Sequence, residues 1–319
     1  MLPKLTTIPT AEELKAIHQA IQPYIHQSPV LTSQSIDHIA GLQLFFKCEN
    51  FQKIGAFKMR GAMSAALALS TEELKNGLAT HSSGNHAQAV AKTAQLLGVP
   101  AYIVMPSNAP SIKKKAVLGY GAKVIDCEPT TAAREASLEK VVAETGAYFI
   151  HPYNDYHVTA GQASAAIELI AEIPNLDIVM APVGGGGLMS GTALAVQYFL
   201  PEAKAIGAEP QEVDDAYRSL KAGYIIENDT TNTVADGLRT TIRDKTFSIL
   251  QKTHIEIILV TESEIISAMR LIWERMKIII EPSSAVPLAA LLQQKERFKG
   301  KRIGIILTGG NVDLGGLPF

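Results

Sequence analysis

The sequence has 319 residues, of which 47% are hydrophobic and 19% charged, and its formal net charge is −2. This length and composition argue against a disordered chain and are typical of one large folded domain or two ordinary ones. The near-neutral charge predicts neither nucleic acid nor a membrane surface as a partner, and no apolar run reaches the roughly 20 residues that a membrane-spanning helix needs.

The N-terminal residues 1–4 lack the charged and then apolar layout of a secretory signal peptide. The two cysteines, Cys48 and Cys127, form no paired motif, which is typical of proteins in a reducing compartment. We therefore expect a cytoplasmic protein.

Short apolar runs rich in β-branched residues alternate with helical patterns along the chain. The predicted strands cover residues 44–47, 78–81, 101–105, 123–126, 178–182, 203–208, 256–260 and 302–307. The predicted helices cover residues 57–69, 85–97, 110–118, 131–144, 158–172, 187–199, 262–276 and 284–297. The alternation is typical of α/β proteins whose open, mostly parallel twisted sheets carry helices on both faces. Such sheets bind ligands at the carboxyl ends of their strands.

Two polar stretches divide the chain. Residues 70–77 are rich in charged and amide side chains, and residues 151–155 combine proline with polar residues. We expect residues 77–151 to form a small inserted α/β domain, and residues 1–76 and 152–319 to form a large domain.

Lys58 follows Gly55 and Phe57 at the predicted start of a helix. A lysine in such a position is most often a surface charge. Here two glycine-containing segments follow predicted strands, Ser82-Ser83-Gly84-Asn85-His86 and Gly184-Gly185-Gly186-Gly187. A buried amine, a turn rich in hydroxyl and amide groups, and a phosphate-binding loop together indicate a site for pyridoxal phosphate, which a lysine holds as a Schiff base.

The four glycines at 184–187 follow a predicted strand and open a predicted helix. Glycines in this position let successive backbone N–H groups converge on an anion, and the helix N-terminus adds partial positive charge. The alternative is a tight turn without a ligand. The pattern is not GxGxxG, so a lone phosphate fits it better than a dinucleotide does.

The segment at 82–86 also follows a predicted strand. Ser82 or Ser83 could simply cap the next helix. In a pyridoxal phosphate site, the exposed N–H groups would bind the substrate carboxylate, Asn85 would offer its amide to the cofactor ring, and Ser83 would place a hydroxyl near the reacting carbon. His86 fits either a site residue or a satisfied polar residue at the helix start.

Thr308 follows the predicted strand at 302–307 and precedes Gly309 and Gly310. It could cap this turn, or it could donate to or accept from the pyridine nitrogen of the cofactor. A neutral hydroxyl leaves that nitrogen largely unprotonated, which weakens the electron sink and favours prompt loss of a β-substituent.

An acidic loop at 209–215 places several carboxylates close together. Most acidic runs are solvated surface, but Glu209, Asp215 and one backbone carbonyl could bind a hard cation such as Mg²⁺ or Ca²⁺.

The motifs FKMRGA, SSGNHAQA, HPYND, AGQ, GGGG, AEP, VADG and TGGNVD occur in this order over nearly the whole length. On these motifs the chain resembles the fold-type II pyridoxal phosphate enzymes, which have the tryptophan synthase β-like fold. Within that group it resembles serine racemases and the short, catabolic-type threonine/serine dehydratases. The resemblance implies two open, mostly parallel twisted sheets.

The resemblance also implies roles for individual residues. The catalytic residues would be Lys58, as the Schiff-base lysine, and Ser83. The cofactor-binding residues would be Phe57, Lys58, Asn85, Gly184, Gly185, Gly186, Gly187, Leu188, Gly237 and Thr308. The substrate-binding residues would be Ser82, Ser83, Gly84, Asn85, His86, Arg134 and Thr240. A divalent cation, Mg²⁺ or else Ca²⁺ or Mn²⁺, would be bound by Glu209, the carbonyl of Val213 and Asp215.

The implied activity is an ammonia-lyase that converts L-serine or L-threonine to a 2-oxo acid and ammonia, together with serine racemase activity in a homodimer. Three alternatives stay open. One is a 3-hydroxyaspartate ammonia-lyase, in which Arg134 or Arg239 would pair with the second carboxylate. The others are a β-replacement enzyme and a non-catalytic protein that binds a nucleotide on the same fold.

Overall fold

The structure, a computed structural model, describes residues 2–109 and 111–319. Its strands are β1 (Val30–Leu31), β2 (Gln43–Cys48), β3 (Leu78–His81), β4 (Ala101–Pro106), β5 (Lys123–Cys127), β6 (Tyr148–Phe149), β7 (Ile178–Pro182), β8 (Lys204–Pro210), β9 (Glu256–Val260) and β10 (Arg302–Leu307). Its α-helices are α1 (Ala11–Ile21), α2 (Gln34–Ala40), α3 (Lys58–Leu67), α4 (Thr71–Lys75), α5 (Asn85–Leu97), α6 (Ser111–Gly119), α7 (Thr131–Thr145), α8 (Tyr156–Glu172), α9 (Gly187–Phe199), α10 (Asp215–Ala222), α11 (Asp244–Lys252), α12 (Glu262–Met276) and α13 (Pro282–Gln293).

The larger sheet has six strands in the order β1-β2-β10-β7-β8-β9. All neighbouring strands in it are parallel except β1, which pairs with β2 in the antiparallel sense. Strand β10 is the last in the chain but lies between β2 and β7, so that Ile305 is opposite Phe46 and Met180.

Both faces of the larger sheet are buried, which explains why its strands are apolar without strict alternation. Alternate residues of the strands, such as Met180 and Ile305, pack with α2, α12 and α13 on one face. The intervening residues, such as Val179 and Ile306, pack with α1, α8 and α9 on the other face.

The smaller sheet has four parallel strands in the order β5-β4-β3-β6. Leu78 and Ile103 face a core formed with α3, α5 and α6. Ala79 and Val104 face α7 on the opposite side.

The predicted fold class is confirmed, and each of the eight predicted strands is present with bounds that differ by at most two residues. The helix predicted over 284–297 is α13 followed by a 3₁₀ turn, Lys295–Phe298. Residue 110, the first of the helix predicted over 110–118, lies outside the described residues. Seven further elements were not predicted from the sequence: the strands β1 and β6 and the helices α1, α2, α4, α10 and α11.

The four-stranded sheet draws all its strands from the segment that was expected to form the small domain. The boundaries at 76/77 and 151/152 themselves stay a prediction. None of the helices in the described part of the chain is long and apolar enough to span a membrane.

Candidate active site

A cavity of about 1210 Å³ is lined by the segments that follow β3, β6, β7 and β10, by the start of α3 and by the region from 227 to 243. Strands of both sheets therefore contribute their carboxyl ends to one site. The predicted cofactor, catalytic and substrate residues all line it: Phe57, Lys58, Ser82, Ser83, Gly84, Asn85, His86, Arg134, Gly184, Gly185, Gly186, Gly187, Leu188, Gly237, Thr240 and Thr308.

Lys58 is the first residue of α3, and its amine lies in the cavity. Lys58 Nζ donates to the Pro152 carbonyl at 2.9 Å. Burial lowers the pKa of Lys58 to about 8, and the nearby Glu281 carboxylate opposes this shift. A substantial fraction of the amine is therefore neutral near physiological pH, which a nucleophile or base requires.

The turn that contains Gly184, Gly185, Gly186 and Gly187 is buried and leads into the 13-residue helix α9. A Cβ on Gly185 would lie 2.4 Å from the Tyr153 ring, and Gly186 has a φ of +84°. The turn can therefore be built only with glycine at these positions. Its backbone N–H groups and the start of α9 form a surface that fits a phosphate group.

The segment from 82 to 86 connects β3 to α5. Ser82 Oγ accepts a hydrogen bond from the Gly84 N–H at 3.2 Å, so its hydroxyl stabilises the turn itself. Ser83 and Gly84 line the cavity just before Asn85, the first residue of α5. The free N–H groups of a helix start fit a substrate carboxylate.

His86 is almost fully buried, and its Nε2 contacts the Ile150 carbonyl at 3.0 Å. Burial lowers the pKa of His86 well below its usual range, with a further contribution from Lys58. A neutral imidazole anchored to the backbone indicates a structural contribution of His86 to the cavity wall.

Asn85 is held by two residues that the sequence analysis did not assign to the site. Its Nδ2 donates to both carboxylate oxygens of Glu281 at 3.0 Å, and its Oδ1 accepts from Asn311 Nδ2 at 2.8 Å. Asn311 lies in the TGGNVD motif, which could have indicated it. Glu281 immediately precedes α13, and no sequence motif indicated a role for it in the site.

Thr308 is buried directly after β10, and its Oγ1 lies 2.9 Å from Ser284 Oγ. Either hydroxyl can donate in this pair. Ser284 Oγ also contacts the carbonyl of Gly309 at 2.8 Å and accepts from its N–H at 2.9 Å. Because Ser284 can redirect its proton, Thr308 can act as a donor or an acceptor towards the cavity.

A group of basic side chains, here called the basic wall, lines part of the cavity. Arg134, Arg243, His81 and His151 all line it. Burial lowers the pKa of His151 to about 3, and His81, Lys58 and Arg243 add to this shift by repulsion. The His151 ring is therefore neutral, and the positive charge of the wall comes from the guanidinium groups of Arg134 and Arg243. Glu135 and Glu227 line the same cavity, and Glu227 lies 3.3 Å from Arg243. The sequence analysis singled out only Arg134 from the basic wall.

Arg239, which the sequence offered as a second partner for a substrate carboxylate, directs its guanidinium to the Thr233 carbonyl at 2.7 Å. Gly237 in the same segment donates its N–H to Ser283 Oγ at 3.1 Å, while Thr240 is exposed at the cavity wall.

The predicted metal ligands lie apart from the cavity. Glu209 lies near the C-terminal end of β8, and Val213 and Asp215 lie at the turn into α10. All three residues are fully buried. The Glu209 carboxylate accepts the N–H groups of Ala216 and Tyr217 at 3.2 and 3.0 Å.

Burial and the proximity of Asp215 raise the pKa of Glu209 well above its usual range, and burial raises the pKa of Asp215 to about 7. No salt bridge between described residues neutralises this pair. Two buried carboxylates beside a backbone carbonyl fit a hard divalent cation. No cluster of three or more His, Cys, Asp and Glu residues suited to a metal occurs in residues 2–109 and 111–319, so carbonyl or water oxygens would have to complete the coordination.

A sequence model of the family described as "Pyridoxal-phosphate dependent enzyme" matches residues 21–309. A beta-hydroxyaspartate dehydratase from Paracoccus denitrificans (strain Pd 1222) is 50% identical over 312 residues, which are 98% of this chain and 99% of that protein. The crystal structure of serine racemase from Dictyostelium discoideum has 48% identity and a TM-score of 0.91, with 96% of this chain and 99% of that chain covered. The structure of maize serine racemase has 42% identity and a TM-score of 0.93, with 96% and 94% covered.

Proposed function

The chain belongs to the pyridoxal-phosphate dependent enzyme family, with the fold-type II architecture, and from this premise we propose that it is an ammonia-lyase for β-hydroxy amino acids. It converts L-serine and L-threonine to a 2-oxo acid and ammonia, and racemises serine at the same site. The observation that carries this proposal is the placement of Lys58 Nζ in one cavity with the glycine turn and Ser83.

Pyridoxal phosphate, when bound, supplies an aldehyde that binds amines and a ring that withdraws electrons from the substrate α-carbon. Lys58 would be its attachment point. The amino group of the substrate would replace Lys58 at the aldehyde, and the Lys58 amine freed in this exchange would take the α-proton of the substrate. The low pKa of this amine makes it a competent base near neutral pH.

The chain contributes a binding group for each part of the cofactor. The turn from Gly184 to Gly187 and the following Leu188 bind its phosphate, and Phe57 packs beside its ring. Asn85 donates to the ring oxygen, and Thr308 pairs with the ring nitrogen. Gly237 lines the remaining wall. The common exposure of these groups to the cavity supports these roles.

The substrate is oriented by the segment that precedes and starts α5. The N–H groups of Ser83, Asn85 and His86 bind its α-carboxylate, while the Gly84 N–H and the Ser82 hydroxyl hold the turn. Ser83 is the proton donor and acceptor for the face opposite Lys58, which racemisation requires. Arg134 and Thr240 contact the part of the substrate beyond the β-carbon.

A divalent cation is a second part of the proposal. Glu209, Asp215 and the carbonyl of Val213 would hold Mg²⁺, or else Ca²⁺ or Mn²⁺. The mutual repulsion of two buried carboxylates supports this site, because a cation would remove the cost of their ionisation.

A second candidate substrate is 3-hydroxyaspartate, which carries an additional carboxylate. The guanidinium groups of Arg134 and Arg243 in the basic wall favour it. The name of the Paracoccus relative agrees with this candidate.

The test is release of 2-oxo acid from L-serine, L-threonine and L-threo-3-hydroxyaspartate by the purified holoenzyme, with and without EDTA. Release that falls on EDTA treatment would support the lyase and the metal site together. Absence of release from all three substrates, with the visible absorbance of the lysine-bound cofactor intact, would overturn the lyase and favour β-replacement or racemisation alone. Absence of that absorbance would return the chain to the nucleotide-binding alternative.

An Arg134→Ala variant separates the substrates. If the basic wall binds the second carboxylate of the substrate, kcat/KM of Arg134→Ala for 3-hydroxyaspartate should fall far more than its kcat/KM for serine. Equal losses on both substrates would show that Arg134 does not discriminate between them.

A homodimer in the cytoplasm is also proposed. It is supported by the family resemblance, and light scattering of the purified protein would test the dimer.

A further inference from the structure

The amide of Asn85 is held at both ends by residues distant in sequence. Asn85 Nδ2 is equidistant, at 3.0 Å, from the two carboxylate oxygens of Glu281. Asn311 Nδ2 donates to Asn85 Oδ1 at 2.8 Å and also contacts the Ile54 carbonyl at 2.8 Å.

This arrangement permits one orientation of the Asn85 amide. While Glu281 is ionised, rotating that amide by half a turn would bring Oδ1 against the Glu281 carboxylate, where both groups are acceptors. It would also bring Nδ2 against Asn311 Nδ2, where both are donors. Since Ile54 fixes the orientation of Asn311 in turn, the alternative leaves buried polar groups unmatched, which is costly.

One N–H of Asn85 remains available in this orientation. The two oxygens of a carboxylate lie close together, so a nitrogen equidistant from both points a single hydrogen between them. The second hydrogen of Nδ2 points away from Glu281, and Asn85 lines the cavity.

Glycines occupy the backbone positions against which the Glu281 and Asn311 side chains pack. A Cβ on Gly309 would lie 2.9 Å from Glu281 Oε1, and a Cβ on Gly55 would lie 3.0 Å from Asn311 Oδ1. Glu281 is only 4% exposed and has no salt bridge among the described residues. Burial raises the pKa of Glu281 to about 7. A buried carboxylate with an amide partner is an expensive way to stabilise a fold, which points to a function for it.

We propose that Glu281 and Asn311 are positioning residues that orient the Asn85 amide so that its free N–H faces the ring oxygen of pyridoxal phosphate. This inference rests on the proposed function, since it concerns the cofactor of that same site. Both residues also line the cavity, and the hydrogen bond of Lys58 Nζ goes to the Pro152 carbonyl and to neither of them. Each acts through Asn85, and together they make it a donor at this place.

The experiment titrates apoenzyme with pyridoxal phosphate and records the dissociation constant and the visible absorbance spectrum. In Glu281→Leu the amide loses its acceptor, and we expect the dissociation constant to rise about tenfold, equivalent to about 1.4 kcal/mol, with a shifted absorbance maximum. In Glu281→Gln the side-chain carbonyl still accepts from Asn85, so we expect most of the affinity to return. Glu264→Leu, which removes a capping carboxylate from α12, is the matched control and should leave both readouts unchanged.

A double variant reverses the polarity of the two partners. With Asn311→Asp, position 311 offers only acceptors where the wild type has a donor. With Glu281→Gln, the amide at position 281 can turn so that it donates where the wild type only accepts. We expect the Asn85 amide to turn over and the affinity to fall well below that of Glu281→Gln and of Asn311→Asp alone. This comparison also serves if Glu281→Leu does not fold.

The outcomes distinguish a failure of the proposed function from a failure of the inference about Glu281 and Asn311. Wild-type protein that develops no visible band with pyridoxal phosphate would overturn the proposed function and, with it, this inference. Wild-type protein that binds normally, while Glu281→Leu and the double variant keep its affinity within twofold and its spectrum unchanged, would overturn the inference alone.

Discussion

At the scale of single residues, the ionisation of Lys58 determines how the empty protein acquires its cofactor. Only the neutral amine attacks an aldehyde, and burial lowers the pKa of this amine to about 8. We predict that the rate constant for cofactor incorporation into apoenzyme rises about tenfold per pH unit well below pH 8 and levels off above it. Stopped-flow absorbance over a pH series measures this. A rise that continues towards the ordinary pKa of lysine would contradict the assigned environment.

Ser83 is predicted to serve one face of the substrate only. Ser83→Ala should lower serine racemisation on the order of 100-fold, the usual contribution of a positioned acid or base, while elimination from L-serine is largely retained. The ratio of D-serine to pyruvate formed, followed by chiral chromatography, gives the result with its own internal control. A parallel loss of both reactions would exclude the two-base arrangement.

Much of the residue-scale site could be predicted from the sequence, because Lys58, Asn85 and Gly185 lie in short motifs with a distinctive chemistry. The sequence could not place Glu281, since a single glutamate before a proline is ordinary at a helix start. Its contact with Asn85 arises from the folding of two segments 196 positions apart. Contacts between residues so distant along the chain leave no local pattern in the amino-acid sequence.

At the scale of elements, a buried ionic cluster fastens the helix that carries Lys58. Arg60 in α3 pairs with Glu49, which follows β2, and with Glu168 in α8, with nitrogen–oxygen distances of 2.7 Å to each. Lys47 in β2 contacts Glu168 at 2.7 Å as well. Two cations and two anions neutralise each other in the core, so the first turn of α3 is tied to both a strand and a helix.

Removing one member of this cluster should be severe. Arg60→Met leaves Glu49 and Glu168 with one remaining cation, and we predict a loss of about 3–5 kcal/mol in the free energy of unfolding. Urea denaturation measures this loss. Arg270→Met, which breaks an exposed pair with Glu274, is the matched control and should leave the stability nearly unchanged. Equal stability of the two variants would show that the cluster does not contribute as described.

Long elements were predictable and short ones were not. The strands of the larger sheet are continuous apolar runs because helices cover both faces, and this pattern is visible in the sequence. Strands β1 and β6 have two residues each, which is too short for any periodicity. Helix α1 was missed although Thr10 and Glu13 form a capping box, a signal that was available.

At the scale of the whole molecule, the proposed metal site is connected to the glycine turn from Gly184 to Gly187. Asp215 accepts the N–H of Ile242 at 2.8 Å, and a Cβ on Gly186 would lie 3.3 Å from the Ile242 side chain. The metal site is therefore linked to the glycine turn through two successive contacts. Loss of the cation should lower both the stability of this region and the affinity for the cofactor.

We predict that Mg²⁺ raises the melting temperature of the holoenzyme and that EDTA lowers both this temperature and the rate of 2-oxo acid release. The effect should be larger above pH 7 than well below it, because protons compete with the cation for Asp215, whose pKa burial raises to about 7. Without the cation, the protonated form of Asp215 stabilises the folded protein, and this contribution is lost as the pH rises through the Asp215 pKa of about 7. Differential scanning calorimetry gives the temperatures.

Asp215→Asn should abolish the response to Mg²⁺, and Glu212→Gln on the exposed side of the same loop should retain it. A full response in Asp215→Asn would exclude this position as the cation site.

The position of β10 has a consequence for biosynthesis. During translation, β2 and β7 emerge from the ribosome long before the strand that separates them, since β10 begins only at Arg302. The nascent chain therefore exposes two unpaired apolar strand edges until β10 has emerged, and such edges favour aggregation. Thr308 and Asn311 emerge later still. We therefore expect the cofactor to bind only after this segment has left the ribosome. A truncation that removes β10 and the residues after it should yield a protein that depends on chaperones and remains colourless.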